Sequence, residues 1–310
     1  MSGTNKDNPF SHFEFAPPHS QNSSACAGKK HKLSSPKSCA KRVRSRARKI
    51  PNETISSSRP EKTEHTLETK TTDGRLDLLL KLLRARDGME TPIDKFGTQA
   101  CVVPGAQNIK IQRFQLLVAA LLSSQTQDPV TYAAMQRLHQ LGSGEDGLTV
   151  DVVQATSEEK LSEILKPVGF YNRKAQQLKR VAAVLSTQYD KDIPRSLNEL
   201  LQFPGIGPKI GRLITLLAWN QVDGIIVDTH VHRLAQRLGW ASTKTPEDTR
   251  KELEDWVPHE YWGRLSLAIV GFGQVICTAK KPSCSKCPLA ANCPSAFKVE
   301  KLSSTSTAKR

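Results

Sequence analysis

The sequence predicts an all-α core that spans residues 74 to 297. Apolar residues follow helical spacing from Arg75 onward, and residues that favour helix starts recur along the chain. The alternating pattern of a β-strand is nearly absent, and the best candidate, residues 225 to 227, is very short. A helical core of this length can bury a sizeable hydrophobic interior.

The individual helices can be placed from their apolar runs and their caps. Leucine-rich residues 76 to 83 begin the first helix, and residues 114 to 122 lie in a second, very apolar one. Three later helix starts carry capping signals, namely Thr156 with Glu159, Ser196 with Glu199, and Thr245 with Pro246.

The charge of the chain indicates an anionic partner. Its 310 residues include 45 Lys and Arg against 30 Asp and Glu, a formal net charge of +15, which favours nucleic acid. No apolar run approaches the ~20 residues that span a bilayer. Residues 1 to 18 also lack the pattern of a secretion signal. Membrane proteins and secreted proteins are therefore disfavoured.

The basic residues are concentrated near the N-terminus. Residues 29 to 49 contain ten Lys and Arg and no acidic residue, within a polar segment, 1 to 73, that predicts a disordered tail. The basic clusters indicate a nuclear address read by the import machinery, or a nucleic-acid-binding arm; a generic solvated tail is the alternative. Asp7 and Glu14 make the N-terminus a poor mitochondrial presequence, and a mitochondrial location stays open. Residues 298 to 310 are predicted as a second disordered tail.

A segment with the sequence Phe-Pro-Gly-Ile-Gly-Pro-Lys, residues 203 to 209, connects two predicted helices. Gly205 and Gly207 favour a tight turn with accessible backbone N–H groups, and Ile206 can fill the angle between the helices. The second helix then offers its N-terminus to a phosphate. We interpret residues 196 to 217 as a helix-hairpin-helix that binds the DNA backbone without reading its sequence; a plain helical hairpin is the alternative.

Two side chains near this hairpin are candidates for catalysis. Lys209 follows Pro208 at a helix start, where the helix dipole and any desolvation favour a neutral, nucleophilic amine; a phosphate-binding lysine is the alternative. Asp228 lies in Val-Asp-Thr-His, where a helix N-cap is the simpler interpretation. A carboxylate close to Lys209 could also stabilise a developing sugar cation or move a proton.

Four of the seven cysteines have the spacing C-x6-C-x2-C-x5-C; they are Cys277, Cys284, Cys287 and Cys293. One tight cluster argues for a metal site over disulfides, and four thiolates suit either zinc or a 4Fe–4S cluster. A single C-x2-C pair with unequal flanks favours the iron–sulfur cluster. Lys280 and Lys281 lie between the first two cysteines and are predicted to contact phosphate.

These motifs together resemble the endonuclease III family of DNA repair enzymes. The hairpin segment, Val-Asp-Thr-His and the cysteine spacing occur in the family's order. Residues 121 to 128 match its Leu-Leu-Ser-x-Gln-x-x-Asp stretch, and residues 168 to 172 match its Gly-Leu-Tyr-Asn loop. The resemblance covers residues 74 to 297, and the basic N-terminal extension is shared with eukaryotic members. Phe170 and Phe203 stand where the family usually has leucine.

The resemblance implies a helix-hairpin-helix DNA glycosylase fold, with two helical domains flanking a DNA cleft. Residues 74 to 104 and 222 to 297 would form an iron–sulfur domain, and residues 105 to 221 a helical barrel domain. It implies a monomer that acts in base excision repair on damaged double-stranded DNA. The enzyme would remove oxidised pyrimidines and then cut the strand by β-elimination. The cluster would be structural or redox-sensing.

The resemblance also assigns roles to single residues. Lys209 would attack C1′ of the sugar and form a Schiff base, with Asp228 assisting. Gln125 would fill the space left by the flipped nucleotide, and Phe170 would wedge into the base stack. Asp128, in the same stretch as Gln125, is assigned to the DNA contacts.

Two other functions remain open at this point. Mismatch glycosylases related to the family keep the aspartate and the cysteines but lack the lysine, so a monofunctional glycosylase is one alternative. A non-catalytic DNA-binding module is the other, although a clamp would need neither Lys209 nor Asp228.

Overall fold

The computed structural model describes residues 74 to 298, except Gly105 and Ser143. This part of the chain contains helices and no strand, as the sequence predicts. Its α-helices are α1 (Gly74–Asp87), α2 (Pro92–Phe96), α3 (Ile109–Leu122), α4 (Asp128–His139), α5 (Val150–Ala155), α6 (Glu158–Leu165), α7 (Tyr171–Gln188), α8 (Leu197–Leu200), α9 (Pro208–Trp219), α10 (Thr229–Arg237), α11 (Pro246–Trp256) and α12 (Trp262–Val275). None of these described helices is long and apolar enough to cross a membrane. Both predicted tails lie outside the described residues, apart from Lys298.

One of the predicted helix caps is confirmed in full. The Thr245 hydroxyl accepts a hydrogen bond from the Asp248 N–H at 3.2 Å, and Pro246 is the first residue of α11. Ser196 stands at the N-cap position of α8, but its side chain makes no capping bond. The capping box predicted there is therefore wrong.

The capping box predicted at Thr156 is wrong by one residue. Ser157 is the N-cap of α6, and its hydroxyl accepts from the Lys160 N–H at 3.2 Å. Thr156 instead ends α5, where its hydroxyl donates to the Val152 carbonyl at 2.7 Å. Thr156 and Ser157 are adjacent hydroxyl residues, and either could in principle cap α6. Because the Thr156 hydroxyl is already bonded to α5, Ser157 takes the N-cap position.

The strand candidate at residues 225 to 227 is also wrong, although all three residues are buried. The Ile225 N–H donates to the Glu254 carboxylate at 2.8 Å, and the Ile226 N–H donates to the Ser266 hydroxyl at 3.1 Å. Side chains from α11 and α12 thus satisfy the backbone groups that a neighbouring strand would otherwise bond.

Two hydrophobic cores organise the helices. The first is built from α3 to α9 and includes Phe114, Leu178 and Ile214. The second joins α1 to α10, α11 and α12, and includes Leu82 and Phe272. The described residues therefore begin in the second core with α1, build the first core, and return to the second after α9.

The two cores draw on different parts of the sequence, and the division into two domains stays a prediction. The first core draws almost entirely on residues 105 to 221, and the second on residues 74 to 104 and 222 to 297. Cys101 is an exception, because it precedes residue 105 yet packs into the first core.

Candidate active site

The turn between α8 and α9 has the tight geometry that the sequence predicts. Phe203 and Ile206 are each 5% exposed and pack into the first core. Gly205 has a φ of 88°, a left-handed conformation that strains any residue with a Cβ, and such a Cβ would also push aside the side-chain amide of Gln177 on α7. Around Gly207 no heavy atom lies within 4 Å of where a Cβ would stand. The start of α9 is therefore open to a ligand.

Lys209 is the second residue of α9 and is exposed. The free protein therefore does not supply the desolvation that the sequence argument invoked for this amine. The charge of Lys209 reaches the carboxyl of Asp128, whose ionised form it favours. The amine thus stands at an open helix start with a carboxylate nearby.

Asp228 is the N-cap of α10, as the simpler interpretation of the sequence predicts. Its Oδ1 atom accepts hydrogen bonds from the N–H groups of His230 at 2.9 Å and Val231 at 2.8 Å. Both bonds end on the same carboxylate oxygen. Capping therefore leaves Oδ2 for another partner, and the capping and catalytic roles are compatible.

Asp128 is the first residue of α4 and is half-buried. Burial raises the pKa of its carboxyl, against the opposing effects of a 2.8 Å hydrogen bond from Gln274 and of the charges of Lys209 and His230. Asp228 adds to the rise by repulsion. The structure thus brings Lys209 and Asp228 each within electrostatic reach of Asp128, although the three residues lie at the starts of three different helices.

Two polar residues at this site were not predicted from the sequence. Burial lowers the pKa of His230, whose Nδ1 atom lies 3.2 Å from the Arg233 guanidinium. Gln274 accepts from the Ile93 N–H at 3.0 Å while its amide donates to Asp128. The Val-Asp-Thr-His motif could have pointed to His230, but no sequence signal marks Gln274.

Gln125 and Phe170, the two residues predicted to enter DNA, both adopt left-handed backbone conformations. Their φ values are 51° and 57°, which non-glycine residues rarely adopt. Gln125 is exposed, and Phe170 is 65% exposed, the largest value among the exposed large hydrophobic residues of the described chain. Each side chain is therefore presented to solvent by a constrained turn.

The four cysteines are free, half-buried thiols that line a single cavity with apolar residues such as Leu234, Phe272 and Leu289. Burial, with repulsion from the other three thiols, raises the pKa of Cys287. Arg237, the last residue of α10, donates to the Cys277 sulfur at 3.4 Å.

The four thiols are a donor set that both zinc and an iron–sulfur cluster accept. Among the described residues, no group of three or more His, Cys, Asp or Glu is placed to hold one metal ion. Four thiols around an apolar cavity, without a carboxylate or imidazole, suit an iron–sulfur cluster, which is held by Cys thiolates. Zinc would need the four sulfurs about 2.3 Å from one point.

Lys280 and Lys281 are exposed on the loop after Cys277. The Thr278 hydroxyl donates to the Lys281 carbonyl at 2.6 Å, and Arg237 donates to the Ala279 carbonyl at 2.8 Å. The two lysines therefore stand on a loop whose backbone is fixed by hydrogen bonds.

The chain is similar to proteins of DNA repair. It matches the family described as HhH-GPD superfamily base excision DNA repair protein over residues 118–259. It is 45% identical to Endonuclease III-like protein 1 of Bos taurus over 213 residues, 68% of each chain. The protein of the same name in Gallus gallus is 39% identical over 84% of this chain and 90% of that one. Endonuclease III homolog 1, chloroplastic, of Arabidopsis thaliana is 42% identical, and the match covers 78% of this chain and 66% of that one.

Solved structures of endonuclease III are similar in fold to this chain. A trapped endonuclease III–DNA covalent intermediate superimposes with a TM-score of 0.61 at 26% identity, over 74% of this chain and 98% of that one. A non-covalent endonuclease III–DNA complex gives a TM-score of 0.57 at 27% identity, over 72% and 98%.

Helices in two cores, a glycine-rich hairpin and a lysine with carboxylates nearby define the class of this protein: a DNA glycosylase of base excision repair. It is an enzyme that binds DNA. Within that class, the identity to curated relatives shows that the chain belongs to the endonuclease III family, whose members are DNA glycosylase/AP lyases.

Proposed function

We propose that the protein removes oxidised pyrimidines from duplex DNA and then cuts the strand at the resulting abasic site through a Schiff base on Lys209. The observation that carries this proposal is the exposed Lys209 amine at the open start of α9, within electrostatic reach of Asp128, which also interacts with Asp228. A family relative has been trapped as a covalent intermediate with DNA, which supports covalent chemistry in this fold.

The first step requires a neutral Lys209 amine. Because Lys209 is exposed in the free protein, bound DNA has to exclude the water around it. The amine attacks C1′, the bond from C1′ to the base breaks, and the base leaves with the bonding electrons and takes up a proton. Asp228, through Oδ2, stabilises the positive charge that develops on the sugar.

The second step cuts the strand. After ring opening, the nitrogen of Lys209 is joined to C1′ as a protonated Schiff base, which makes a C2′ proton acidic. Loss of that proton to a base forms the C1′–C2′ enamine, whose electrons expel the 3′ phosphate in β-elimination. Water then hydrolyses the Schiff base and frees Lys209.

The remaining predicted residues would bind the DNA. The amides at Gly205, Ile206 and Gly207 and the start of α9 would hold backbone phosphates, with Lys280 and Lys281 as further phosphate contacts. Gln125 would occupy the gap left by the flipped nucleotide, and the exposed Phe170 would separate the neighbouring bases. Asp128 would contact the DNA close to Lys209.

We propose a 4Fe–4S cluster as the cofactor, held by Cys277, Cys284, Cys287 and Cys293. When bound, such a cluster fixes the loop that it ties together and offers a redox-active centre. The cluster takes no part in base removal. The cluster would also order the loop with Lys280 and Lys281, because this loop lies between the ligands Cys277 and Cys284.

Removal of one cluster ligand tests this assignment. Cys287→Ser should lower the iron content, weaken the visible thiolate-to-iron absorbance and reduce DNA affinity, because the loop loses its anchor. Cys101→Ser is the matched control, since Cys101 is a buried thiol of the other core. Zinc without iron in the purified protein would contradict the cluster.

The protein would act as a monomer on damaged double-stranded DNA. The basic segment at residues 29 to 49 would serve as an address for the nuclear import machinery, and a mitochondrial pool remains part of the proposal. Chloroplastic relatives also place members of this family in organelles.

The proposed function is tested with duplex DNA that contains a single thymine glycol. The expected result is release of the modified base together with a strand break on the 3′ side of the lesion. Base release without a break would favour the monofunctional glycosylase. Tight binding with neither product would favour the non-catalytic DNA-binding module.

A further inference from the structure

Lys174 carries a charged group into the interior of the protein. The residue lies in the first turn of α7 and is only 3% exposed. Its Nζ atom donates to the carbonyls of Leu122 at 2.8 Å and Ser124 at 2.6 Å, and to the Thr126 hydroxyl at 3.1 Å. An ammonium group has three N–H donors, so all of them are used.

These bonds fix the turn that carries Gln125. Leu122 ends α3, and its carbonyl is one of those that a helix leaves without an internal partner. A positive charge at this helix end also interacts favourably with the helix dipole. Lys174 therefore holds the backbone before Gln125 and the Thr126 side chain after it, and Gln125 itself has a left-handed conformation.

The same group of contacts reaches the turn that carries Phe170. The Thr126 hydroxyl, which accepts from Lys174, also accepts from the Gly169 N–H at 3.2 Å. A Cβ at Gly169 would lie 2.6 Å from the Gln125 carbonyl oxygen, so the two turns are in direct contact and only glycine allows it.

Burial of Lys174 is unfavourable in itself. It lowers the pKa of the amine to about 8, while the three oxygen acceptors favour the charged form. A methionine of similar length would fill this space without desolvating a charge. The ammonium is therefore explained by its hydrogen bonds to the turn that carries Gln125.

We propose that Lys174 is a positioning residue that, through Thr126, joins the Gln125 turn to the Phe170 turn, so that both side chains enter DNA as one rigid unit. This inference rests on the proposed function, in which these two side chains open the base stack. Lys174 acts through them and does not touch the substrate.

The test compares a lesion in a fully paired duplex with the same lesion in an unpaired bubble, under single-turnover conditions. Opening the stack is needed only in the paired duplex, because bubble bases are already unstacked. In the full-length protein, Lys174→Met should slow base release from the paired duplex on the order of 100-fold, with a much smaller change in the bubble.

A second pair of variants tests the link without changing the buried lysine. Thr126→Val removes the hydroxyl that joins the turns, and Thr126→Ser keeps it as the matched control. We expect the valine variant to show the same preference for the bubble, and the serine variant to behave as wild type. This pair decides the question if Lys174→Met fails to fold.

The outcomes separate this inference from the proposed function. If the wild-type protein releases no base from either DNA, the proposed function is wrong. If the wild type is active and Thr126→Val slows base release from both DNAs equally, or from neither, the two turns do not act as a unit and the inference is overturned.

Discussion

Replacement of Lys209 by glutamine is expected to abolish covalent trapping of the protein on DNA by borohydride. Borohydride reduces a Schiff base to a stable amine, so trapping reports the bond between Lys209 and C1′ directly. An amide nitrogen cannot form that bond. Because Lys209 is exposed, its loss should change the free energy of unfolding by no more than about 0.5 kcal/mol.

The measurement is a denaturing gel of the reduced complex, with DNA that contains either thymine glycol or an abasic site. Affinity for the uncut duplex should fall only slightly, since one positive charge is lost among several. Lys280→Gln is the matched control, because it removes an exposed lysine that would touch phosphate but not C1′. Trapping that persists in Lys209→Gln at the wild-type level would assign the Schiff base to another amine.

Asp228→Asn is expected to slow base release on the order of 100-fold or more, which is the size of effect seen when one stabilising group at a developing charge is removed. Asparagine is as good an N-cap as aspartate, so the bonds from His230 and Val231 to the side chain can persist. The substitution therefore removes the charge while keeping α10 in place.

The two roles of Asp228 can be separated by a second variant. Asp228→Ala should slow base release as Asp228→Asn does. It should also lower the free energy of unfolding by about 1 kcal/mol, because it removes the cap. Thermal unfolding and single-turnover base release are measured on both variants. If Asp228→Asn retains the wild-type rate, the residue is only a helix cap.

The sequence predicts several local features of this fold, although the capping boxes at Thr156 and Ser196 are wrong. The hairpin at Gly205, the cap at Thr245 and the cap at Asp228 are each specified by a few adjacent residues. Their physical causes are also local, since backbone sterics and the first N–H groups of a helix involve only near neighbours.

The contacts that complete the site join residues that are far apart in the sequence. Gln274 bonds Asp128, 146 residues earlier, and Lys174 bonds Leu122, 52 residues earlier. Neither pair has a spacing or a motif that marks it, because the partners meet only through packing of helices on the cores. The same reason explains Ile225, where a buried apolar run bonds the distant side chain of Glu254 in place of a strand.

Helix α10 has a different neighbour at each end. Asp228 caps its start, and Arg237 at its end binds the Cys277 sulfur and the carbonyls of the following loop. Nine residues of helix place these ends roughly 14 Å apart. Oxidation of the cysteine loop would weaken the bonds of Arg237 and so release the C-terminal end of α10, the helix that Asp228 caps. Damage to the cysteine loop is therefore expected to be transmitted along α10 to the placement of Asp228.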